Sequence, residues 1–220
     1  MTELAILDVD GTLVDSLGVI HAAMCGALRH VGRPAPAARS VKVLIGLSVP
    51  RMVEALMPSG SEEEWDEATG EFRLRYREGA DELGGLAPLR EGVGAFLDQM
   101  DEAGVGVALA TSRTEAGVHR LLDGHGLRGR FRSIQCGDIH PSKPHPSAVR
   151  RALADTGVAR GRAVVAGDTS YDMEMARAAK VRPFGVGWGY HDAAVLQAAG
   201  ARAVAADFDA LAAMIVEAGR

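Results

Sequence analysis

The sequence predicts an α/β fold, in which a parallel sheet is covered by helices on both faces and is interrupted early by an all-helical insertion. From residue 88 onward, short apolar runs alternate with helical patterns, as in a sheet built from strand and helix units. Residues 15–86 show helical patterns only. The length of 220 residues suits one domain with an insertion. We therefore expect a core domain of residues 1–14 and 87–220 and a helical cap domain of residues 15–86.

The predicted core strands are short apolar runs that end at a polar residue or a glycine, as buried strands do. Open parallel sheets bind ligands beyond the carboxyl ends of their strands, so the residues that follow these runs are the candidate site. The clear runs are Leu4 to Leu7, Val105 to Ala110 and Ala163 to Ala166, and the weaker ones are Ser133 to Cys136 and Phe184 to Trp188.

The predicted helices have apolar residues spaced by three and four positions. In the insertion, a first helix begins at Leu17 and ends before Gly32, a second begins after Ser48, and the pattern of Ser61 to Glu64 is a capping box that begins a third. The core helices are predicted around Val93 to Met100 and over Thr114 to His125, Pro146 to Thr156, Asp172 to Ala179, Asp192 to Ala199 and Asp209 to Glu217.

Composition excludes several classes of protein. With 29 acidic and 24 basic residues the formal charge is -5, and the longest basic runs are pairs, so a nucleic-acid partner is disfavoured. No window approaches the roughly 18 apolar residues of a membrane helix, and the first residues lack the pattern of a signal peptide. We expect a cytoplasmic protein with no membrane partner. Cys25 and Cys136 match no metal-ligand spacing and are expected to be reduced.

Two acidic pairs follow predicted strands. Asp8 and Asp10 stand two residues apart after the first strand, so extended backbone directs both side chains to one side. Asp168 and Asp172 follow the Ala163 to Ala166 run. Each pair alone is explained by a polar turn or by a helix N-terminus. Four carboxylates at one sheet edge, however, require a hard cation, and carboxylate oxygens with waters are the ligands that Mg²⁺ takes.

Two further polar residues accompany these acids. Thr111 follows the central strand, where a hydroxyl and the amides after it can bind an anion, although a single Thr there is usually structural. Lys143 stands in the segment Ser-Lys-Pro-His-Pro, whose prolines limit the freedom of the backbone around it. The alternative is an ordinary solvated lysine in a proline-rich loop.

These pieces, in this order, resemble the haloacid dehalogenase superfamily of aspartyl-phosphate phosphohydrolases, which have a Rossmann-like core and, in many members, a helical C1-type cap. Segments near the end of the chain, Gly185 to Tyr190 and Ala198 to Ala201, resemble the phosphoglycolate-phosphatase-like subgroup. The segment Asp8 to Ser16 is similar to the first motif of the superfamily, Thr111 to the second, Lys143 with Pro144 to the third, and Gly167 to Asp172 to the fourth.

The resemblance implies a role for each acidic residue. Asp8 is the nucleophile that accepts the phosphoryl group, and Asp10 is the acid that protonates the leaving oxygen and later activates water. Mg²⁺ is held by Asp8, by the backbone carbonyl of Asp10 and by Asp168. Asp172 lies behind them, where it orients a metal-bound water or pairs with Lys143.

The resemblance also implies which residues bind phosphate. Lys143 and Thr111 contact the transferring phosphoryl oxygens, and Gly11 allows close approach of the backbone. Relatives commonly have Asn and Lys after the second-motif Thr, where this chain has Ser112 and Arg113. Ser112 still offers a donor to the phosphate, so we expect altered contacts with the leaving group and retained activity.

Substrate choice is expected to depend on the cap. Gly46, Ser48 and Arg51 stand at a junction of loop and helix that can face the active site. Arg51 is a candidate partner for a substrate carboxylate, although an Arg in the first helical turn is just as often a solvated surface group.

We therefore expect a Mg²⁺-dependent phosphomonoester hydrolase that acts on a small phosphorylated, phosphoglycolate-like metabolite and is a monomer or a homodimer. One alternative is a sugar phosphomutase of the same fold, which returns the phosphoryl group to the substrate. Another is a non-catalytic module that binds a phosphorylated ligand.

Overall fold

The computed structural model of the protein describes residues 1–82 and 87–218. The described residues form a six-stranded parallel sheet with helices on both faces, which confirms the α/β fold class. The strands are β1 (Leu4–Leu7), β2 (Gly106–Ala110), β3 (Ser133–Gln135), β4 (Ala163–Gly167), β5 (Arg182–Val186) and β6 (Val204–Ala205).

The helices fall into two groups along the chain. The segment that the sequence assigns to the cap contains α1 (Leu17–His30), α2 (Ala38–Lys42), α3 (Val49–Leu56) and α4 (Glu62–Glu82). Its last predicted residues, 83–86, lie outside the described residues. The core helices are α5 (Val93–Glu102), α6 (Glu115–Gly124), α7 (Ser147–Thr156), α8 (Ser170–Ala179), α9 (Ala193–Ala198) and α10 (Phe208–Glu217).

The order of the strands brings the three candidate strand ends together. The sheet runs β3-β2-β1-β4-β5-β6, so β1 lies between β2 and β4 and the strand order reverses there. Leu7 is level with Leu109 on one side and with Ala166 on the other. The residues beyond these positions therefore meet at one edge, in the crevice where parallel sheets bind ligands.

The sheet is held by apolar packing on both faces, because successive side chains of a strand point in opposite directions. Leu4 and Ile6 of β1 pack in a cluster with α7 and α8, whereas Ala5 and Leu7 pack in a second cluster with α5, α6 and α10. All four β1 residues are fully buried. This rigid strand therefore fixes the position of Asp8.

The helices α1 to α4 and the segments between them form an apolar cluster that also includes Tyr190 of the core and is distinct from the two clusters on the sheet. The predicted capping box is present at the start of α4, where Ser61 Oγ accepts from the Glu64 amide at 3.3 Å and the Glu64 carboxylate accepts from the Ser61 amide at 2.9 Å. Each half of the motif supplies an amide of the first turn with an acceptor.

Among the described residues, hydrogen bonds of Val43 and Ser48 join this helical group to the core beside the site. The Val43 carbonyl accepts from Tyr171 Oη at 3.0 Å and from His191 Nε2 at 3.1 Å. The Ser48 amide donates to Ser142 Oγ at 2.8 Å. The segment between α2 and α3 is thereby placed against the carboxyl edge of the sheet.

Several predicted boundaries need correction. β2 begins one residue after Val105, β3 ends one residue before Cys136, and β5 begins and ends two residues earlier than the predicted Phe184 to Trp188. The sequence patterns do not predict β6 or α2. Within the described residues, no helix is both long and apolar enough to cross a membrane.

Candidate active site

Three carboxylates meet at the carboxyl edge of the sheet. One carboxylate oxygen each from Asp8, Asp168 and Asp172 lies within 4.8 Å of the others, and all three side chains are buried. The Lys143 ammonium lies between two of them, with Nζ 2.7 Å from Asp8 Oδ1 and 2.7 Å from Asp172 Oδ1. One cation thus faces three buried acids, and the cluster retains an excess of negative charge.

Burial makes this excess costly. Burial is the main reason that the pKa of Asp8 is raised well above its ordinary range, and Asp172 and Asp168 add to the effect while Lys143 opposes it. Burial, reinforced by Asp172, raises the pKa of Asp168 to about 7. For Lys143, burial alone would lower the pKa, but the carboxylates of Asp172 and Asp8 raise it above its ordinary value. A second cation would relieve the cluster.

The Asp8 carboxylate has capacity for such a ligand. Its Oδ1 is paired with the Lys143 ammonium at 2.7 Å, and within the described chain its Oδ2 accepts no hydrogen bond from a protein donor. Buried carboxylate oxygens are normally satisfied. A hard divalent cation takes carboxylate oxygens, so the residues present fit the metal that the sequence predicts.

Asp168 is fixed by two donors from distant parts of the chain. Its Oδ1 accepts from Thr12 Oγ1 at 2.8 Å, and its Oδ2 accepts from the Tyr190 amide at 2.9 Å. Gly11, at φ +90°, and Gly189 leave room for it, because a Cβ at either position would collide with the Asp168 carboxyl group. The predicted close approach at Gly11 is therefore toward Asp168.

Asp172 occupies the third position of helix α8 and serves Lys143. Its Oδ2 accepts from the Thr169 amide at 3.1 Å and from Thr169 Oγ1 at 2.7 Å, and the Asp172 amide donates to Thr169 Oγ1, which completes a capping box with the N-cap residue. Its Oδ1 accepts from Lys143 Nζ. Of the two roles expected for Asp172, the structure contains the pairing with Lys143.

Asp10 lies outside the carboxylate cluster. Its Oδ2 accepts from Arg113 Nε at 2.8 Å and its Oδ1 from Arg113 Nη2 at 2.6 Å, a bidentate pair in which both side chains are at most 9% exposed. Ser16 Oγ also donates to Oδ1. The Arg113 guanidinium lies 5.7 Å from the ring centre of Tyr76 on α4. Asp10 is therefore held in a fixed position between the core and the helical group.

The predicted phosphate-binding residues surround the same edge. Thr111 is buried at the end of β2, and its Oγ1 accepts from the Arg113 amide at 3.2 Å. Ser112 lines a cavity of about 550 Å³ between the core and the helical group, together with Asp10. Lys143, predicted beside prolines, is buried in the cluster described above.

The three cap candidates occupy two different environments. Gly46 and Ser48 line the cavity. Arg51 forms an ion pair with Glu54 at 2.6 Å, is 64% exposed, and is absent from the cavity lining. The structure thus places Arg51 on the surface of α3.

Sequence reasoning missed several residues of the site. Tyr190 Oη accepts from the Ser16 amide at 3.1 Å and lies 3.2 Å from Ser16 Oγ, so it supports the residue that donates to Asp10. The pairing of Arg113 with Asp10 was also missed. For Ser16 and Tyr190 the available signal was their position within segments that resemble family motifs.

The chain matches the haloacid dehalogenase-like hydrolase family over residues 5–186. It is 32% identical over 189 residues to tyrosine-protein kinase PtkA of Mycobacterium tuberculosis, with 86% of this chain but only 63% of PtkA covered. It is 32% identical over 203 residues to the probable phosphatase IndB of Dickeya dadantii, covering 90% of this chain and 87% of IndB. A phosphoglycolate phosphatase of Pseudomonas savastanoi is 32% identical over 197 residues, with 87% and 71% covered.

Solved structures show the same fold. A hydrolase from Pseudomonas syringae superposes with a TM-score of 0.86 at 26% identity, and a predicted phosphatase from Clostridium acetobutylicum with a TM-score of 0.89 at 22% identity. In both cases 99% of each chain is covered. The fold, the matched residues and the relatives confirm the resemblance found in the sequence motifs, and the chain belongs to the haloacid dehalogenase-like hydrolase family.

Proposed function

We propose that this protein is a Mg²⁺-dependent phosphomonoester hydrolase that acts on a small phosphorylated metabolite through a phosphoryl group carried on Asp8. The observation that carries the proposal is the environment of Asp8. Its carboxylate is buried and lies within the cluster of Asp168 and Asp172, with Oδ1 2.7 Å from Lys143 Nζ. Its Oδ2 accepts no protein hydrogen bond among the described residues.

Asp8 has the features of a nucleophile. Because Oδ2 accepts no hydrogen bond from the described protein, it has a lone pair available to attack phosphorus. The Lys143 ammonium favours the ionised form against the cost of burial. Asp8 then forms a bond to phosphorus as the ester oxygen leaves, and in a second step water attacks phosphorus and releases the carboxylate.

Mg²⁺ would be held by Asp8, the backbone carbonyl of Asp10 and Asp168. When bound, the ion supplies positive charge that offsets the phosphate and the acidic cluster. Lys143, Thr111 and Ser112 would contact the phosphoryl oxygens, and the small Gly11 lets the chain lie close to Asp168.

Asp10 has the features of the acid and base. It lies two residues from the nucleophile, lines the cavity, and is held in one orientation by Arg113 and Ser16. A positioned acid protonates the leaving oxygen and then takes a proton from the attacking water, a contribution of about 10²- to 10⁴-fold. Asp10 must take up a proton from solvent before the ester bond breaks, so its bidentate pair with Arg113 has to rearrange for this step.

We also propose the division into a core of residues 1–14 and 87–220 and a cap of residues 15–86. It is supported by the separate apolar cluster of α1 to α4 and by the position of the cavity, which both parts line. In this division Gly46 and Ser48 of the cap face the reacting group, and the cap controls access to it.

The proposal is tested by phosphate release from 4-nitrophenyl phosphate and phosphorylated metabolites, with Mg²⁺ or with a chelator. We expect turnover that requires metal and falls by at least about 10³-fold in Asp8→Asn. The exposed Asp66→Asn on α4 is the matched control and should retain the wild-type rate. A variant Asp8→Asn with wild-type rate would contradict the nucleophile. Conversion of hexose phosphates to isomers, with little free phosphate, would instead identify a mutase.

A further inference from the structure

The cavity beside Asp10 is much larger than a two-carbon leaving group needs. Its volume of about 550 Å³ falls in the range of about 300 to 1,000 Å³ typical of pockets for drug-sized ligands. In the proposed reaction the phosphoryl group binds at four residues that we call the floor of the site, namely Asp8, Asp168, Asp172 and Lys143. None of these residues lines the cavity. The volume is therefore available to the rest of the substrate.

One wall of the cavity is apolar. Its side chains come from α1, α3, α4 and the segment that joins α2 to α3. The same side chains belong to the apolar cluster of the helical group. A carbon skeleton in contact with this wall would bind more tightly, because apolar area is removed from water. The residues are Ile20, Ile45, Leu47, Val49, Met52 and Phe72.

The other wall is cationic. Arg73 and Arg77 stand four residues apart on one face of α4, and both line the cavity. Among the described side chains neither has an ion-pair partner. Arg113 and Arg120 also line it, so the lining contains four arginines in a chain whose formal charge is -5.

The two aspartates in the lining do not cancel this charge at Arg73 and Arg77. Asp10 is occupied by Arg113. Asp138 forms no ion pair with Arg73 or Arg77 among the described residues, and its two oxygens lie 3.0 and 3.2 Å from the Glu115 amide nitrogen. The face of α4 that contains these two arginines also contains Tyr76, which contacts Arg113. This face of α4 therefore lies next to Arg113, the partner of Asp10.

We propose that the cavity selects phosphate monoesters whose leaving group has a carbon skeleton larger than glycolate and a second anionic group, a carboxylate or a phosphate, bound by Arg73 and Arg77. The proposal rests on the hydrolase function proposed above. Arginine suits this role because its planar guanidinium forms paired hydrogen bonds with carboxylate and phosphate oxygens. The apolar wall then packs against the skeleton that joins the two anions.

The test compares kcat/KM for three substrates: phenyl phosphate, 4-carboxyphenyl phosphate and phosphoglycolate. The wild-type protein is expected to prefer the carboxyphenyl ester at least about tenfold over each of the other two. In Arg73→Met/Arg77→Met the preference over phenyl phosphate should fall to about onefold. Both arginines are exposed, so the double variant should fold.

Arg75→Met is the matched control. Arg75 lies on the same helix but pairs with Glu71 at 2.7 Å and is absent from the cavity lining, so its substitution should keep the wild-type preference. Two results would overturn the proposed substrate class but not the hydrolase function: a wild-type preference for phosphoglycolate, or the same ratio of kcat/KM values in the double variant and the wild type. Absence of phosphate release from all three esters would overturn the hydrolase function on which it rests.

Discussion

The floor of the site and the cavity wall above it are built in opposite ways. On the floor, Asp8, Asp168, Asp172 and Lys143 are buried and contact one another or neighbouring backbone groups. On the wall, Arg73 and Arg77 are exposed side chains of α4. The floor is preorganised for one chemical group, whereas the wall can be changed without disturbing the core.

Asp8 and Asp10 show the same contrast within one turn of the chain. Asp8 faces the buried cluster and a lysine, a compact charge that contacts Oδ1, while Oδ2 accepts no protein hydrogen bond among the described residues. Asp10 faces the cavity and an arginine, whose guanidinium holds both of its oxygens. Their partners therefore separate the two carboxylates into a candidate nucleophile and a candidate acid.

The largest effect should follow removal of the floor's cation. In Lys143→Met we expect turnover to fall by roughly 10³-fold or more, since the phosphoryl group and Asp8 lose their positive partner. Breaking a buried ion pair on one side also costs about 3 to 5 kcal/mol of stability. The measurements are kcat with an aryl phosphate and the free energy of unfolding without metal.

The exposed Lys180→Met is the control for this variant and should change neither quantity. If Lys143→Met keeps more than about a tenth of the wild-type kcat, the lysine is not essential to the floor, and the contrast between floor and wall is weakened.

A smaller effect should follow removal of the partner of Asp10. In Arg113→Met we expect kcat to fall by about 10- to 100-fold for an alkyl phosphate and by less for 4-nitrophenyl phosphate, because a weakly basic leaving group needs little protonation. Arg113→Lys should recover part of the difference but not all, since lysine lacks the bidentate geometry. Equal losses for the two esters would show that Arg113 does not act through an acid.

The smallest expected effect is a dependence of protein stability on pH and on Mg²⁺. The pKa of Asp168 is about 7 in the folded protein against an ordinary value of 3.8, so the folded state binds this proton more tightly than the unfolded state does. Without metal, stability should therefore decrease as pH rises from about 4 to about 7.

A metal ion binds the ionised form of the Asp168 carboxyl group. Mg²⁺ should therefore raise Tm by a few degrees more at about pH 8 than at about pH 6. Thermal unfolding with and without Mg²⁺ measures this difference. In Asp168→Asn the dependence on pH should be reduced, and an equal Mg²⁺ effect at both pH values in the wild type would contradict the assignment.

The fold could be predicted where apolar runs were long and buried on both faces, as in β1, β2 and β4. The predicted β5 was displaced because its observed range includes Pro183, a residue that usually argues against a central strand. Proline is tolerated there because the two-residue strand β6 pairs only with Gly185 and Val186, further along β5. So short a strand as β6 has no sequence pattern that identifies it.

The site could be predicted where its residues follow strands, because strand order alone brings Asp8, Thr111 and Asp168 to one edge. The contacts of Asp10 depend on packing between distant segments. Arg113 is 103 positions from Asp10, and Tyr190 is 174 positions from Ser16. No local spacing encodes such pairs, so the sequence identified Arg113 only as a departure from the family pattern.

The central claim is that Asp8 carries the phosphoryl group, and the most direct measurement is to trap it. Protein mixed with an excess of ³²P-labelled substrate and Mg²⁺ should, after acid quenching and proteolysis, yield one labelled peptide containing Asp8. The label should be released by hydroxylamine, as expected of an acyl phosphate, and should be absent from Asp8→Asn. Label on another residue, or retained in Asp8→Asn, would contradict the account.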